Sequence, residues 1–379
     1  METKLLNGNN KEAIAEASKI LQDGGLVAFP TETVYGLGAD ALNADAAAKI
    51  YAAKGRPSDN PLIVHIADTD AVEKLADLET MNRTHPDMVK KAHMLMEAFW
   101  PGPLTIIFPK LAIVPDGTTG GLPTVAIRMP SHPIAQELIR ISGVSIAAPS
   151  ANTSGRPSPT TAQHVWEDMD GRIEMILDGG AVGIGIESTI VDMTGTIPTI
   201  LRPGFITKTM LSEIVGDVTI DPAIIEPDPN LRPKAPGMKY THYAPHGTLS
   251  IVEAVADESA NRASLHSGVK VSYNATEAET LRVAEKIKAL VNEKEAQGYK
   301  VAILTTKEHA SLYKNYSHVL IVGEGSKGQT ISARLYAALR ECDSEQMEYM
   351  YSEAFDQNEL GGAIMNRLLK AAGHRVITV

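Results

Sequence analysis

The chain has 379 residues, more than one typical domain core holds, so two domains are expected. Hydrophobic residues make up 44% and charged ones 21%, the balance of a folded globular protein, and a formal net charge of −11 argues against a whole-surface nucleic-acid binder while leaving room for a local basic groove. The single cysteine, Cys342, excludes an internal disulfide, no apolar run approaches ~20 residues, and the first residues lack a signal-peptide core, so a soluble cytoplasmic protein is expected.

In chain order, residues 11–22 carry Ile14, Ala17 and Leu21 at helical spacing and stop at Gly24 and Gly25. Leu26–Phe29 reads as a strand, Ala44–Ala53 as a helix, Leu62–Ile66 as a strand, and 86–99 as a helix opened by Pro86. Leu104–Phe108, Thr124–Arg128, Val144–Ala148, Thr189–Val191 and Thr199–Leu201 are short and strand-like. Several connections are too short for helical crossovers, which predicts a twisted mixed sheet of the α/β class. Six prolines between Pro222 and Pro245 mark a linker, and its Met238, Lys239, Tyr240, His242 and Tyr243 suggest a strap over a ligand rather than a plain spacer. Beyond it Leu249–Val252, Val269–Tyr273, Val301–Thr305 and Val319–Val322 are strand-like. Helices are expected at Glu277–Gln297 (Leu281, Ala284, Ile287 and Val291 inward), 329–341 and 361–371, and Val376–Val379 as a last strand. The expected division is 1–215, a linker at 216–247, and a smaller, Rossmann-like α/β domain at 248–379.

Residues 145–158, SIAAPSANTSGRPS, run from a buried strand into hydroxyls, amides and one arginine, a donor set suited to a polyanion at a sheet edge. A plain turn competes with that reading. PTETVYGLGADA (30–41) adds Thr33 and two glycines, and is weak alone. In KGRPSDNPLIVHI (54–66), Lys54 ends a helix, where a cation can simply complement the macrodipole; Arg56 precedes a proline, and His65 projects opposite to Val64 and Ile66. Arg128 closes TVAIR, Ser188 precedes a strand, and Arg202 ends another. Arg56, Arg128 and Arg202 thus stand at strand margins before prolines, and Arg156 repeats the Arg-Pro pattern in a loop. Structural ion pairs explain one or two such arginines; four together point to a phosphate or carboxylate ligand. No Walker loop, zinc spacing or nucleophile elbow is present. GEGSKG (323–328) matches G-x-G-x-x-G, but the acid ~20 residues on, Asp343, falls in a helical stretch, so a tight turn is the expectation.

PTETVYGLG, KGRPSDNPL, PGPLTIIF, VAIRMPSHP, APSANTSGRPSPT and STIVD…ILRPG, in this order, resemble the YrdC family in its long two-domain form, the L-threonylcarbamoyl-AMP synthases. APGMKYTHYAPHG looks like the strap of that form. The resemblance implies a YrdC-like twisted open sheet in 1–215. It implies a nucleotidyltransferase that joins L-threonine, bicarbonate or CO2, and ATP into threonylcarbamoyl-adenylate and pyrophosphate, the product passing to a tRNA-modifying complex. It further implies that Thr33, His65, Arg128, Ala148 and Ser188 hold threonine. Arg56, Asn60, Thr124, Ser150, Ser158 and Arg202 would hold ATP, with Tyr240, or less favourably Tyr243, as its cover. Lys54 and Arg56 would serve catalysis. Magnesium is expected with ATP, and neither a protein-held metal nor a tightly bound organic cofactor is expected. Direct tRNA binding is not strongly expected, and no membrane partner is. Competing readings are an RNA-binding module, a carbamoyl-adenylate domain lacking its zinc region, and a nucleotide-dependent regulator.

Overall fold

The computed structural model describes residues 1–224, 235, 242–255, 276–355 and 360–379. They divide into two compact units, Met1–Ser154 with Ser158–Tyr240, and Gly155–Pro157 with Thr241–Val379.

The strands of the first unit are β1 (Lys4–Asn7), β2 (Val27–Phe29), β3 (Gly36–Asp40), β4 (Ile63–His65), β5 (Leu104–Pro109), β6 (Thr124–Arg128), β7 (Ile146–Ala147), β8 (Met175–Asp178), β9 (Thr189–Asp192), β10 (Thr199–Arg202) and β11 (Thr219–Ile220). They form one sheet in the order β1-β8-β2-β3-β7-β4-β6-β5-β9-β10-β11. It is mixed, as the short connections require: β4 runs parallel to β6, while β5 and β6 pair antiparallel as do β3 and β7. β1, β3, β8 and β11 lie outside the strands read from sequence. β3 is glycine-rich and so reads poorly as a strand, yet a side chain at Gly38 would meet Ile146 at 2.7 Å and the Phe29 ring at 2.8 Å. Glycine is what lets β2, β3 and β7 approach.

Alternation along the strands divides the core between two faces. One face carries Val64, Ile106, Ile127 and Val191 against Ala47 and Ile50 of the helix Ala44–Lys54 and Leu95 of the helix Pro86–Phe99. The other carries Val27, Phe29, Ile146 and Ala148 beneath the helices Lys11–Gln22 and Pro133–Ser142. Further along the same face, Ile63, Ile107, Ala126, Ile190 and Leu201 form a small apolar floor, and Ala235 of the proline-rich stretch is buried on it. Fully burying each such Ile or Leu contributes about 1.5–3 kcal/mol.

In the second unit, β12 (Thr248–Glu253), β13 (Val301–Thr305), β14 (Val319–Ile321), β15 (Tyr349–Glu353) and β16 (Val376–Thr378) form a sheet ordered β14-β13-β15-β12-β16, parallel throughout. β15 was not expected from sequence and lies in the middle. The strand read at Val269–Tyr273 falls outside the described residues. The helix Glu277–Ala296 opens on a capping box between Thr276 and Glu279 and buries Val283, Ala284, Ile287 and Val291. Leu281, expected inward, is exposed, because it sits about a quarter-turn off that stripe. Cys342 is buried in the helix Gly328–Ser344, and burial pushes its thiol up to about 12, which leaves it inert.

The GEGSKG turn holds a carboxylate of the chain itself: the Gly325 N–H donates to Glu308 Oε2 at 2.8 Å, which draws the Glu308 carboxyl below its ordinary range. At the carboxyl end of β15, buried Glu353 accepts from Tyr313 at 2.7 Å and pairs with His309 Nδ1 at 2.9 Å. Its hydrogen bond to Glu353 raises the His309 pKa. A raised folded-state value stabilises fully below the unfolded value of about 6.5 and stops doing so as pH climbs through the folded one. Stability should therefore fall as pH rises above about 6.5, by on the order of 1 kcal/mol or less since solvent screens the half-exposed ring, and thermal melts follow that slope. His309→Gln should flatten that slope; an unchanged slope would discard the pairing as its source.

Candidate active site

Register brings the candidate residues together. His65 lies opposite Arg128 across β4 and β6, Arg128 opposite Thr105 across β6 and β5, Thr105 opposite Ile190 across β5 and β9, and Ile190 opposite Arg202 across β9 and β10. Residues in one such row share a face of the sheet. His65, Arg128, Thr105, Ser188 and Arg202 are all buried.

Hydrogen bonds join the row. Arg128 donates from Nη1 to Thr33 Oγ1 at 3.0 Å and from Nε to the Gly102 carbonyl at 3.3 Å, and its Nη2 lies 2.5 Å from Glu32 Oε1. The Thr105 and Ser188 hydroxyls are 2.7 Å apart, and Arg202 donates to the Ser188 carbonyl at 3.0 Å and hydroxyl at 3.1 Å. The loop before β9 closes on the turn after β2 through the Gly185 N–H and the Thr33 carbonyl at 3.0 Å. Gly204 lets the chain after Arg202 pass beneath Ser188, since a Cβ there would stand 2.5 Å from the Thr189 nitrogen. Burial and then the Arg128 charge push the His65 pKa down to about 3, so the ring is neutral at physiological pH, with Nδ1 3.1 Å from the Ile63 carbonyl.

A second set stands at the other end of the same strands. Thr124 and Arg128 bound β6, whose four steps span about 13 Å. Near the Thr124 end lie Arg56 and Asn60, since the Arg56 guanidinium donates to the Asn60 and Pro61 carbonyls at 3.4 and 3.1 Å and Pro61 leads into β4. Asn60 is buried, with no hydrogen bond to its Oδ1. Ala148 donates to the Ile63 carbonyl at 2.8 Å, so Ser150 continues from β7 toward this end. The helix Ala44–Lys54, capped by Asn43 and ended by Gly55 in left-handed geometry, delivers Lys54 beneath the loop after β7. Its ammonium donates to the Ser150 carbonyl at 2.5 Å and to the Asn152 carbonyl. Ser158, by contrast, lies near the first set: it donates to Glu187 Oε1 at 2.6 Å, and Glu187 precedes Ser188.

The arginines can now be placed. Arg202, expected at the nucleotide, donates to Ser188, expected at threonine. Arg156, counted with the strand-margin arginines, belongs to the second unit and makes an ion pair there with Asp343 at 3.2 Å. Arg128 and Arg202 thus mark one end of a track along these strands and Arg56 the other; a 500 Å³ cavity is lined by residues that include Asp40, Lys74 and Arg140. Tyr240 lies outside the described residues. Tyr243, the alternative, is buried in the second unit at a left-handed φ of 67°, with its ring 5.1 Å from that of Tyr336. Sequence reasoning missed Glu32, Thr105 and Glu187. The signal for Thr105 was a lone hydroxyl inside the apolar run LTIIF.

Two family models match: one described as "Telomere recombination" (Sua5, YciO and YrdC) over residues 19–204, and one described as the threonylcarbamoyl-AMP synthase C-terminal domain over 206–373. The chain is 46% identical over 369 residues to the threonylcarbamoyl-AMP synthase of Bacillus subtilis, covering 97% of this chain and 95% of that one. The chain belongs to the Sua5/YciO/YrdC family. Within this family it is 41% identical over 376 residues to the Pyrococcus abyssi threonylcarbamoyl-AMP synthase, covering 98% of each. A crystal structure of P. abyssi Sua5 complexed with L-threonine matches it with a TM-score of 0.84 at 40% identity, covering 100% of both chains. A variant of that Sua5 with a histidine and the next tyrosine replaced by alanine matches with the same TM-score at 39% identity. Among the described residues no helix is long and apolar enough to cross a membrane.

Proposed function

We propose that the chain is a nucleotidyltransferase that makes threonylcarbamoyl-AMP and pyrophosphate from L-threonine, bicarbonate or CO2, and ATP, for transfer to tRNA by a partner complex. The observation that carries the reading is the buried row of Arg128, Thr105, Ser188 and Arg202 on a scaffold matching a threonine-bound relative over its full length. Threonine would sit at this end, its carboxylate on the planar fork of Arg128 and its other polar groups among Thr33, His65, Ser188 and the backbone near Ala148. ATP would lie toward Arg56, Asn60, Thr124, Ser150 and Ser158. The apolar floor between the ends would keep water from the labile carbamate, and fixed cations would stabilise charge developing on phosphate.

Among the described residues no cluster of three or more His, Cys, Asp or Glu side chains could hold a metal. Magnesium would arrive with the ATP phosphates, keeping several waters. The proline-rich stretch would act as a strap: its Ala235 already packs on the site's floor. The chain's one adjacent His-Tyr pair, His242–Tyr243, corresponds in kind to the pair altered in the P. abyssi variant. A cytoplasmic location belongs to this proposal, since the reaction would draw on ATP and serve tRNA.

Pyrophosphate release from ATP, with threonine and bicarbonate omitted in turn, tests the assignment. Dependence on both is expected, and release that needs neither would replace the synthase with an ATPase.

A further inference from the structure

The site described above uses Arg128 but leaves its partner unexplained. Glu32 is mostly buried, with its side chain 15% exposed, and it meets an arginine only 4% exposed. Its second oxygen accepts the Ser131 N–H at 3.1 Å. Glu32 precedes Thr33, and its own carbonyl accepts the Ile184 N–H at 2.9 Å, so the loop before β9 fixes its backbone. A buried ion pair is a costly way to gain stability, because both charges must leave water. Its presence beside Thr33 needs a reason other than folding.

The substrate supplies one. Threonine is a zwitterion, with a carboxylate and an ammonium on adjacent atoms. We propose that Glu32 is a specificity-determining residue whose carboxylate takes the α-ammonium of threonine while Arg128 takes the α-carboxylate. The amino acid then exchanges one internal ion pair for two ligand-borne ones and leaves no buried charge alone. A ligand carrying only the carboxylate would compete with Glu32 for Arg128 and offer Glu32 nothing in return. Neutral His65 adds no rival charge. This inference rests on the reading that Arg128 receives the carboxylate.

Calorimetric titration of the full chain tests it with two probes, L-threonine and 3-hydroxybutanoate, which is threonine without its amino group. The wild-type chain should prefer threonine by about 100-fold, and Glu32→Gln should weaken threonine by about 10- to 100-fold while leaving 3-hydroxybutanoate unchanged or tighter. Glu32→Asp should recover part of the preference. If Glu32→Gln does not fold, the wild-type preference still decides, because equal binding of the two probes overturns the proposal. So does a Glu32→Gln chain with its preference intact. Normal threonine binding by Arg128→Gln would instead overturn the underlying reading of Arg128, a separate outcome.

Discussion

Arg128→Ala should raise the threonine KM in pyrophosphate release by about 10- to 100-fold, the value of one charge-assisted recognition, with a much smaller change in the ATP KM. The split follows from position: Arg128 contacts Thr33, Gly102 and Glu32, all at one end of the track, and β6 carries it about 13 Å from Thr124. The same substitution should lower stability by about 3–5 kcal/mol, because Glu32 keeps its charge in a buried site without its partner. Urea unfolding measures that loss. Replacing Glu32 by Gln in the same chain should recover part of it, since the two changes share one interaction and cannot add. Arg128→Lys should fall between, as a point charge cannot reach Thr33, Gly102 and Glu32 together. An unchanged threonine KM in Arg128→Ala would remove this end of the track from substrate binding.

What the sequence disclosed and what it concealed follow one physical line. Residues whose setting is local were legible. Arg128 and Arg202 close apolar strands just before prolines, and the strand ends are where the proline ring stops the ladder. The helix that carries Lys54 was read from the alanine-rich run Ala44–Ala53, and the structure closes it with the local caps Asn43 and Gly55. Pairings across long stretches were not legible. Arg156 has the same Arg-Pro dipeptide as Arg202, but its partner Asp343 lies on a helix of the second unit, and nothing within a few residues of either announces the other. Thr105 became a site residue only when β5 paired with both β6 and β9, which set it between Arg128 and Ser188. β15 escaped because its residues are almost wholly buried, so the in-out alternation of a half-exposed strand is missing. Glycine in β3 hid a strand whose need for glycine is tertiary, namely the closeness of Ile146 and Phe29.

Lys54→Met should raise the ATP KM by about 10- to 100-fold and spare the threonine KM, and the reason is loop shape as much as charge. Met keeps most of the length of the lysine stem and removes only the ammonium. That ammonium donates to the carbonyls of Ser150 and Asn152, while the Lys54 carbonyl accepts the Ser154 N–H at 2.8 Å. Without it, buried carbonyls lose a donor, at about 1–3 kcal/mol for each one left unsatisfied. The loop that presents Ser150 then loosens before any nucleotide arrives. This separates two roles. A lysine that only touched phosphate would leave the ligand-free chain as stable as wild type when replaced. A lysine that builds the loop would show, in ligand-free hydrogen exchange, faster exchange of the Ser154 amide, while the Gly185 amide on the Thr33 carbonyl stays protected. Lys54→Arg should not rescue the loop, because Lys54 is only 3% exposed and a guanidinium would overfill the space beneath Ser150. Wild-type exchange at Ser154 combined with a raised ATP KM would assign Lys54 to the phosphates, and a wild-type ATP KM would remove it from the nucleotide end altogether.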